Sequence, residues 1–182
     1  MSFEVTTFDM VSLVKSVVED FATMAKEKHI TLNVAPPPDD ELLVRGDEDR
    51  VRQVVSNLVS NAIHFTNQGG VTVRLGIQNG SALCQVTDTG TGIEPKKQRL
   101  LFRKFQQAGE KVLARDLTRG TGMGLYISKL IVESLNGKIW LEKSELGKGS
   151  TFALTLPRPG QAQSSTTCDI RGCVERAIEE VK

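Results

Sequence analysis

Apolar residues recur at helical spacing in three stretches of the chain. Met10, Leu13, Val14, Val17, Val18 and Phe21 form one stripe, behind an Asp9 placed to cap a helix N-terminus. Val51, Val54, Val55, Leu58, Val59, Ala62 and Ile63 form a second, opened by Asp47-Glu48-Asp49 and stopped by Gly69-Gly70. Leu125, Ile127, Leu130, Ile131 and Leu135 form the third, which predicts a helix over 121–135 closed by Asn136-Gly137. Elsewhere the period shortens to two, predicting strands over 3–7, 30–35, 42–45, 71–78, 82–87, 138–143 and 150–156. Asn79-Gly80 joins two of these as a hairpin. A short helix is expected over 95–104. Residues 106–119 are charged and poorly patterned, which reads as a mobile loop. The class is α+β: a two-layer sandwich in which helices cover one face of a mixed, mainly antiparallel sheet.

Composition narrows this picture. The 182 residues suffice for one domain, taken as 1–157, with 158–182 as a linker and an amphipathic C-terminal helix. A net charge of +1 gives no electrostatic case for nucleic acid or an anionic membrane as a partner. No apolar run reaches membrane-spanning length, and Cys84, Cys168 and Cys173 lack zinc-site spacing and read as reduced thiols. The expected location is therefore the cytoplasm, although a longer parent may be membrane-anchored.

The second helix carries an unusual stripe. Asn57, Asn61 and His64 stand at i, i+4 and i+7 and share one face beside the apolar one. Asparagine is a poor helix former, so the pair is either a solvated polar face or two carboxamides aimed at a ligand or its Mg²⁺. Glycine clusters occur at Asp88-Thr89-Gly90-Thr91-Gly92, Gly120-Thr121-Gly122-Met123-Gly124 and Gly147-Lys148-Gly149. Such clusters let backbone N–H groups approach a phosphate, best of all at a helix N-terminus. The spacings fit neither GxxxxGK[ST] nor GxGxxG, and the VAIK, HRD and DFG set is absent.

In combination these stretches resemble the catalytic, ATP-binding domain of bacterial sensor histidine kinases, in the superfamily of gyrase, mismatch-repair and heat-shock-chaperone ATPases. NLVSNAIHFT resembles the N box, DTGTGI the G1 box, LFRKF the F box, GTGMGLYIS the G2 box and GKGSTF the G3 box, in order, over roughly residues 3–156. The resemblance implies a Bergerat-type fold with ATP and Mg²⁺ as ligands. Asp88 would accept the adenine amino group, with Gly90, Gly92 and Ile93 around it and Phe65 and Leu125 as apolar walls. The Thr151 hydroxyl would support the Asp88 end of that pocket. Asn61 would hold Mg²⁺, with Asn57 as the catalytic-centre carboxamide near the phosphates and His64 on the same face. Gly120, Thr121, Gly122 and Gly124 would cradle the triphosphate. Met123, in the same box, is expected to pin the lid by packing, as are Phe102 and Phe105. Arg115 and Arg119 are candidate γ-phosphate partners on the lid.

Two positions depart from the family pattern. His64 stands where lysine is usual, and an imidazole is a weaker cation than an ammonium at neutral pH, so nucleotide binding is expected to be weaker or pH-dependent. Gln107 stands where many members carry arginine. Neither His29 nor His64 has the surroundings of a phosphoacceptor, so a dimerisation and phosphoacceptor domain must be a partner, with a response regulator acting indirectly. Asn57 stands where ATP-hydrolysing relatives commonly have glutamate, which favours transfer to an imidazole over hydrolysis. The alternatives are a nucleotide-sensing module without transferase activity and a serine kinase that inhibits a sigma factor.

Overall fold

The computed structural model describes residues 4–37, 39–103 and 123–160. Strand β1 (Thr6–Asp9) leads directly into α1 (Met10–Glu27), followed by β2 (Thr31–Val34), β3 (Leu43–Gly46) and α2 (Glu48–Phe65). The hairpin β4 (Gly70–Gln78) and β5 (Ser81–Asp88) precedes a short α3 (Pro95–Gln98). Helix α4 (Gly124–Ser134) and strands β6 (Lys138–Glu145) and β7 (Gly149–Leu156) complete the order. The expected lid over 106–119 and the C-terminal helix lie outside the described residues.

Five strands form one mixed sheet in the order β2-β4-β5-β7-β6. Only the β2–β4 pairing in it is parallel. Strands β1 and β3 pair antiparallel in a separate two-stranded sheet. Alternation supplies the core: Val71, Val73 and Leu75 of β4, Ala82, Cys84 and Val86 of β5, and Leu154 and Leu156 of β7 are buried. Against them lie the buried stripes of α1, α2 and α4. The two-layer expectation therefore stands, with the first strand shifted from 3–7 to Thr6–Asp9.

Helix ends explain much of the local geometry. Asp9 caps α1, its carboxylate accepting the N–H of Val11 and Ser12 at 3.0 Å each and that of Leu42 at 2.9 Å. At the other end His29 adopts φ 54°, with Ile30 N–H reaching the Ala25 carbonyl and His29 N–H that of Lys26. That is a Schellman closure in which histidine fills the position that usually takes glycine. Helix α4 closes in the same way through Asn136, at φ 59°. Helix α3 is shorter than the sequence suggests. It lacks a side-chain N-cap and buries no residue, and the chain beyond Gln98 continues as hydrogen-bonded turns, with Phe102 packed against the core.

Candidate functional site

Helix α2 and the C-terminal end of β5 bring the candidate residues together. On α2, the Asn61 Nδ2 donates to Asn57 Oδ1 at 3.4 Å, and Asn57 Nδ2 donates to the Ser128 hydroxyl of α4 at 3.0 Å. The Asn57 carboxamide is thus engaged at both ends by protein, while Asn61 Oδ1 has no partner among the described residues. A Cβ on Gly124 would fall 2.5 Å from Asn57 Oδ1, so the absence of a side chain there lets the α4 N-terminus lie against the asparagine pair. His64 and Phe65, at the end of the same helix, are exposed and stack edge to face with ring centroids 5.0 Å apart. Phe65 is 54% exposed, more open than the apolar wall expected of it.

Lys28 is a neighbour that the sequence did not single out. Its ammonium donates to the carbonyls of Ile63 at 2.7 Å and His64 at 3.0 Å, at the negative end of the α2 dipole. Only the tertiary fold brings α1 and α2 side by side, so no local motif could have flagged it.

Asp88 ends β5 and is buried. Its Oδ1 accepts the N–H of Gly90 at 2.8 Å and of Ser150 at 3.3 Å, and Oδ2 has no partner among the described residues. Burial pushes the carboxyl above the usual carboxylate range, and the two backbone donors oppose that shift without cancelling it. The following loop is packed closely: Gly90 lies against the Phe65 carbonyl and Gly92 against that of Glu145. Thr91 N–H donates to the Phe65 carbonyl at 3.2 Å, so the Asp88 loop and the end of α2 form one surface.

Thr151 of β7 pairs with Thr87, the neighbour of Asp88 on β5. Its hydroxyl meets that of Thr87 at 3.0 Å, across the β5–β7 pairing, and the backbone N–H of Ser150 is what reaches Asp88. Ile93 N–H donates to the Ser144 hydroxyl at 2.8 Å, which ties it to the β6–β7 hairpin. Leu125 is half-buried against the core, and Met123 precedes α4 without capping it. Gly120, Thr121, Gly122, Phe105, Arg115 and Arg119 lie outside the described residues. A concavity of about 460 Å³ lies between α3, α4 and β6, bordered by Gln98, Phe102 and Trp140; Asp88 is not among its lining residues.

An Mg²⁺ shared with phosphates needs few protein ligands, and a carboxamide oxygen suits it. The free Asn61 Oδ1 fits that requirement. Among the described residues there is no cluster of three or more His, Cys, Asp or Glu that would hold a metal by protein alone.

Residues 46–160 match the family described as histidine kinase-, DNA gyrase B- and HSP90-like ATPases. The chain belongs to that family. It is 44% identical over 114 residues to the circadian input-output histidine kinase CikA of Synechococcus elongatus, covering 62% of this chain and 15% of that protein. Among solved structures it resembles the catalytic domain of histidine kinase ThkA, with a TM-score of 0.72 and 28% identity over 87% of this chain and 97% of the other. It resembles full-length ShkA in complex with AMPPNP equally, at TM-score 0.72 and 28% identity, over 90% of this chain and 33% of that one. ThkA has also been solved with the response regulator TrrA. The chain spans well under half the length of the curated relatives compared with it, from 12% of sensor protein EvgS to 31% of sensor histidine kinase RppB. Among the described residues no helix is long and apolar enough to cross a membrane.

Proposed function

We propose that this chain is the catalytic domain of a cytoplasmic sensor-kinase module, transferring the γ-phosphoryl group of ATP to a histidine on a separate dimerisation and phosphoacceptor domain. The observation that carries the reading is Asp88: a buried carboxylate with Oδ1 fixed by two backbone donors and Oδ2 left to accept a ligand hydrogen bond. An exocyclic amino group on a purine is the donor this arrangement suits, and adenine presents one beside a ring nitrogen. Membership of an ATPase family and the likeness to an AMPPNP-bound kinase support ATP as the nucleotide.

In this reading the base enters beside Asp88, Gly90, Gly92 and Ile93, and the phosphates extend along α2 towards Asn61 and the start of α4. Asn61 Oδ1 would hold Mg²⁺, and Asn57, braced by Ser128, keeps the Asn61 carboxamide turned. When bound, Mg²⁺ neutralises charge on the phosphates. A neutral imidazole nitrogen of the acceptor attacks the γ-phosphorus in line; an N–P bond forms, the bond to the ADP oxygen breaks, and the imidazole proton passes to solvent. No base in this domain is needed, because the nucleophile is already unprotonated.

The test supplies the purified dimerisation domain of a related sensor kinase with γ-labelled ATP and this chain. Acid-labile, base-stable label on the acceptor is expected; its absence, with nucleotide still bound, points to the second reading. That reading, a nucleotide-sensing module without transfer, is favoured by His64, an exposed imidazole where the family usually presents a lysine.

A further inference from the structure

Outside the residues assigned above, a polar network joins three separate segments around Asp88. Gln98, at the end of α3, donates through Nε2 to the Ile93 carbonyl at 2.8 Å and the Ser144 carbonyl at 3.3 Å. The Ser144 hydroxyl accepts the Ile93 N–H at 2.8 Å and meets the Ser150 hydroxyl at 2.9 Å. Ser150 in turn gives its backbone N–H to Asp88 Oδ1 at 3.3 Å. One amide and two hydroxyls therefore stitch α3, the loop after β5 and the β6–β7 hairpin together, and the last link of the chain is the carboxylate itself.

We propose that Gln98 and Ser144 are positioning residues for adenine recognition, setting through Ile93 and Ser150 the orientation in which Asp88 presents its free oxygen. The inference rests on the reading of Asp88 as the adenine acceptor. The Ser150 donor is the longer of the two on Oδ1, so a small retreat of the hairpin removes it. A carboxylate left with one donor is free to turn about its side-chain torsion. Sequence alone offers no sign of this, because Gln98 and Ser144 belong to none of the glycine or asparagine motifs.

The 182-residue chain, its Ser144→Ala, Ser144→Thr and Gln98→Ala variants and an Asp88→Asn control are titrated with ATP and with inosine triphosphate. Inosine carries a carbonyl in place of the amino group, so it cannot give Asp88 the exocyclic N–H that adenine gives. Ser144→Ala and Gln98→Ala are expected to lower ATP affinity about tenfold while leaving inosine triphosphate affinity nearly unchanged. Ser144→Thr, which keeps the hydroxyl, is expected to retain the ATP preference. Thermal melts confirm that each variant is folded, and Gln98→Ala decides alone if Ser144→Ala fails to fold. Equal loss for both nucleotides, or no loss of the ATP preference, overturns the inference when Asp88→Asn does abolish that preference. If Asp88→Asn leaves the preference intact, or the wild-type chain binds neither nucleotide, the assignment of Asp88 falls and the network's role falls with it.

Discussion

Gly147 and Gly149 occupy the same tight turn, at φ 76° and 91°, yet should respond very differently to a methyl group. A Cβ at Gly147 meets nothing within 4 Å, so Gly147→Ala costs only the left-handed backbone penalty, about 1–2 kcal/mol. A Cβ at Gly149 would lie 1.9 Å from the Asp88 carbonyl oxygen and 2.9 Å from the Gly90 nitrogen. Both are backbone atoms held in place, so the start of β7 must retreat. The retreat breaks the Ser150 N–H bond to the Asp88 carboxylate, worth about 1.5–3 kcal/mol as a bond to a charged group. The total for Gly149→Ala is about 2.5–5 kcal/mol. Urea unfolding of the two variants against wild type reads the difference, and ATP titration should show lost binding for Gly149→Ala only. Equal destabilisation, or intact ATP binding in Gly149→Ala, would refute the claim that this close approach builds the site.

Further outcomes follow from the same geometry. His64→Lys should raise ATP affinity, because a permanent ammonium then stands on the face of α2 where the phosphates are placed; unchanged affinity in calorimetry would sink the idea. The Asp9 carboxyl is partly desolvated, but the Ser12 hydroxyl and three backbone donors outweigh that and hold it below the usual range. A depressed carboxyl stabilises the fold above its unfolded pKa and loses that contribution as pH falls, so Asp9→Ala should cost about 1–2 kcal/mol near neutrality and progressively less in acid. Constant cost down to about pH 2 would contradict the assignment. His29→Gly should stabilise by about 1 kcal/mol, because only the left-handed strain at the end of α1 is relieved; a lower midpoint in thermal melting would argue against it. With Cys168 and Cys173 replaced by serine, Cys84 should resist alkylation until the protein unfolds, since burial lifts its thiol to about 12; rapid labelling of the folded chain would show a more open β5.

The fold was legible where local chemistry and tertiary role coincide. Asn79 and Gly80 both take positive φ, at 52° and 82°, as the hairpin signal requires, and Asp9 and Asp47 cap the helices they were expected to cap. Partner choice was not legible. Alternation in 30–35 announces a strand, but its parallel pairing with β4, and the separate β1–β3 ribbon, depend on where α1 and α2 pack. The charged turn at 26–28 marks the end of α1, but its closure was not legible, because His29 fills a position where glycine would have advertised it. At the candidate site, the asparagine stripe and glycine clusters are visible as local motifs, whereas Lys28, Ser144, Ser150 and Gln98 make their contacts with segments distant in sequence. Strand register decides how β7 meets Asp88: the Ser150 backbone N–H reaches the carboxylate, and the Thr151 hydroxyl turns towards the adjacent Thr87.

Every role proposed for the site depends on nucleotide binding by this chain. Calorimetric titration with ATP, with and without Mg²⁺, on wild type and on Asp88→Ala is the most direct measurement. Binding that tightens with Mg²⁺ and disappears in Asp88→Ala is the predicted result. No binding to the wild-type chain at millimolar ATP, or binding indifferent to the substitution, would contradict it.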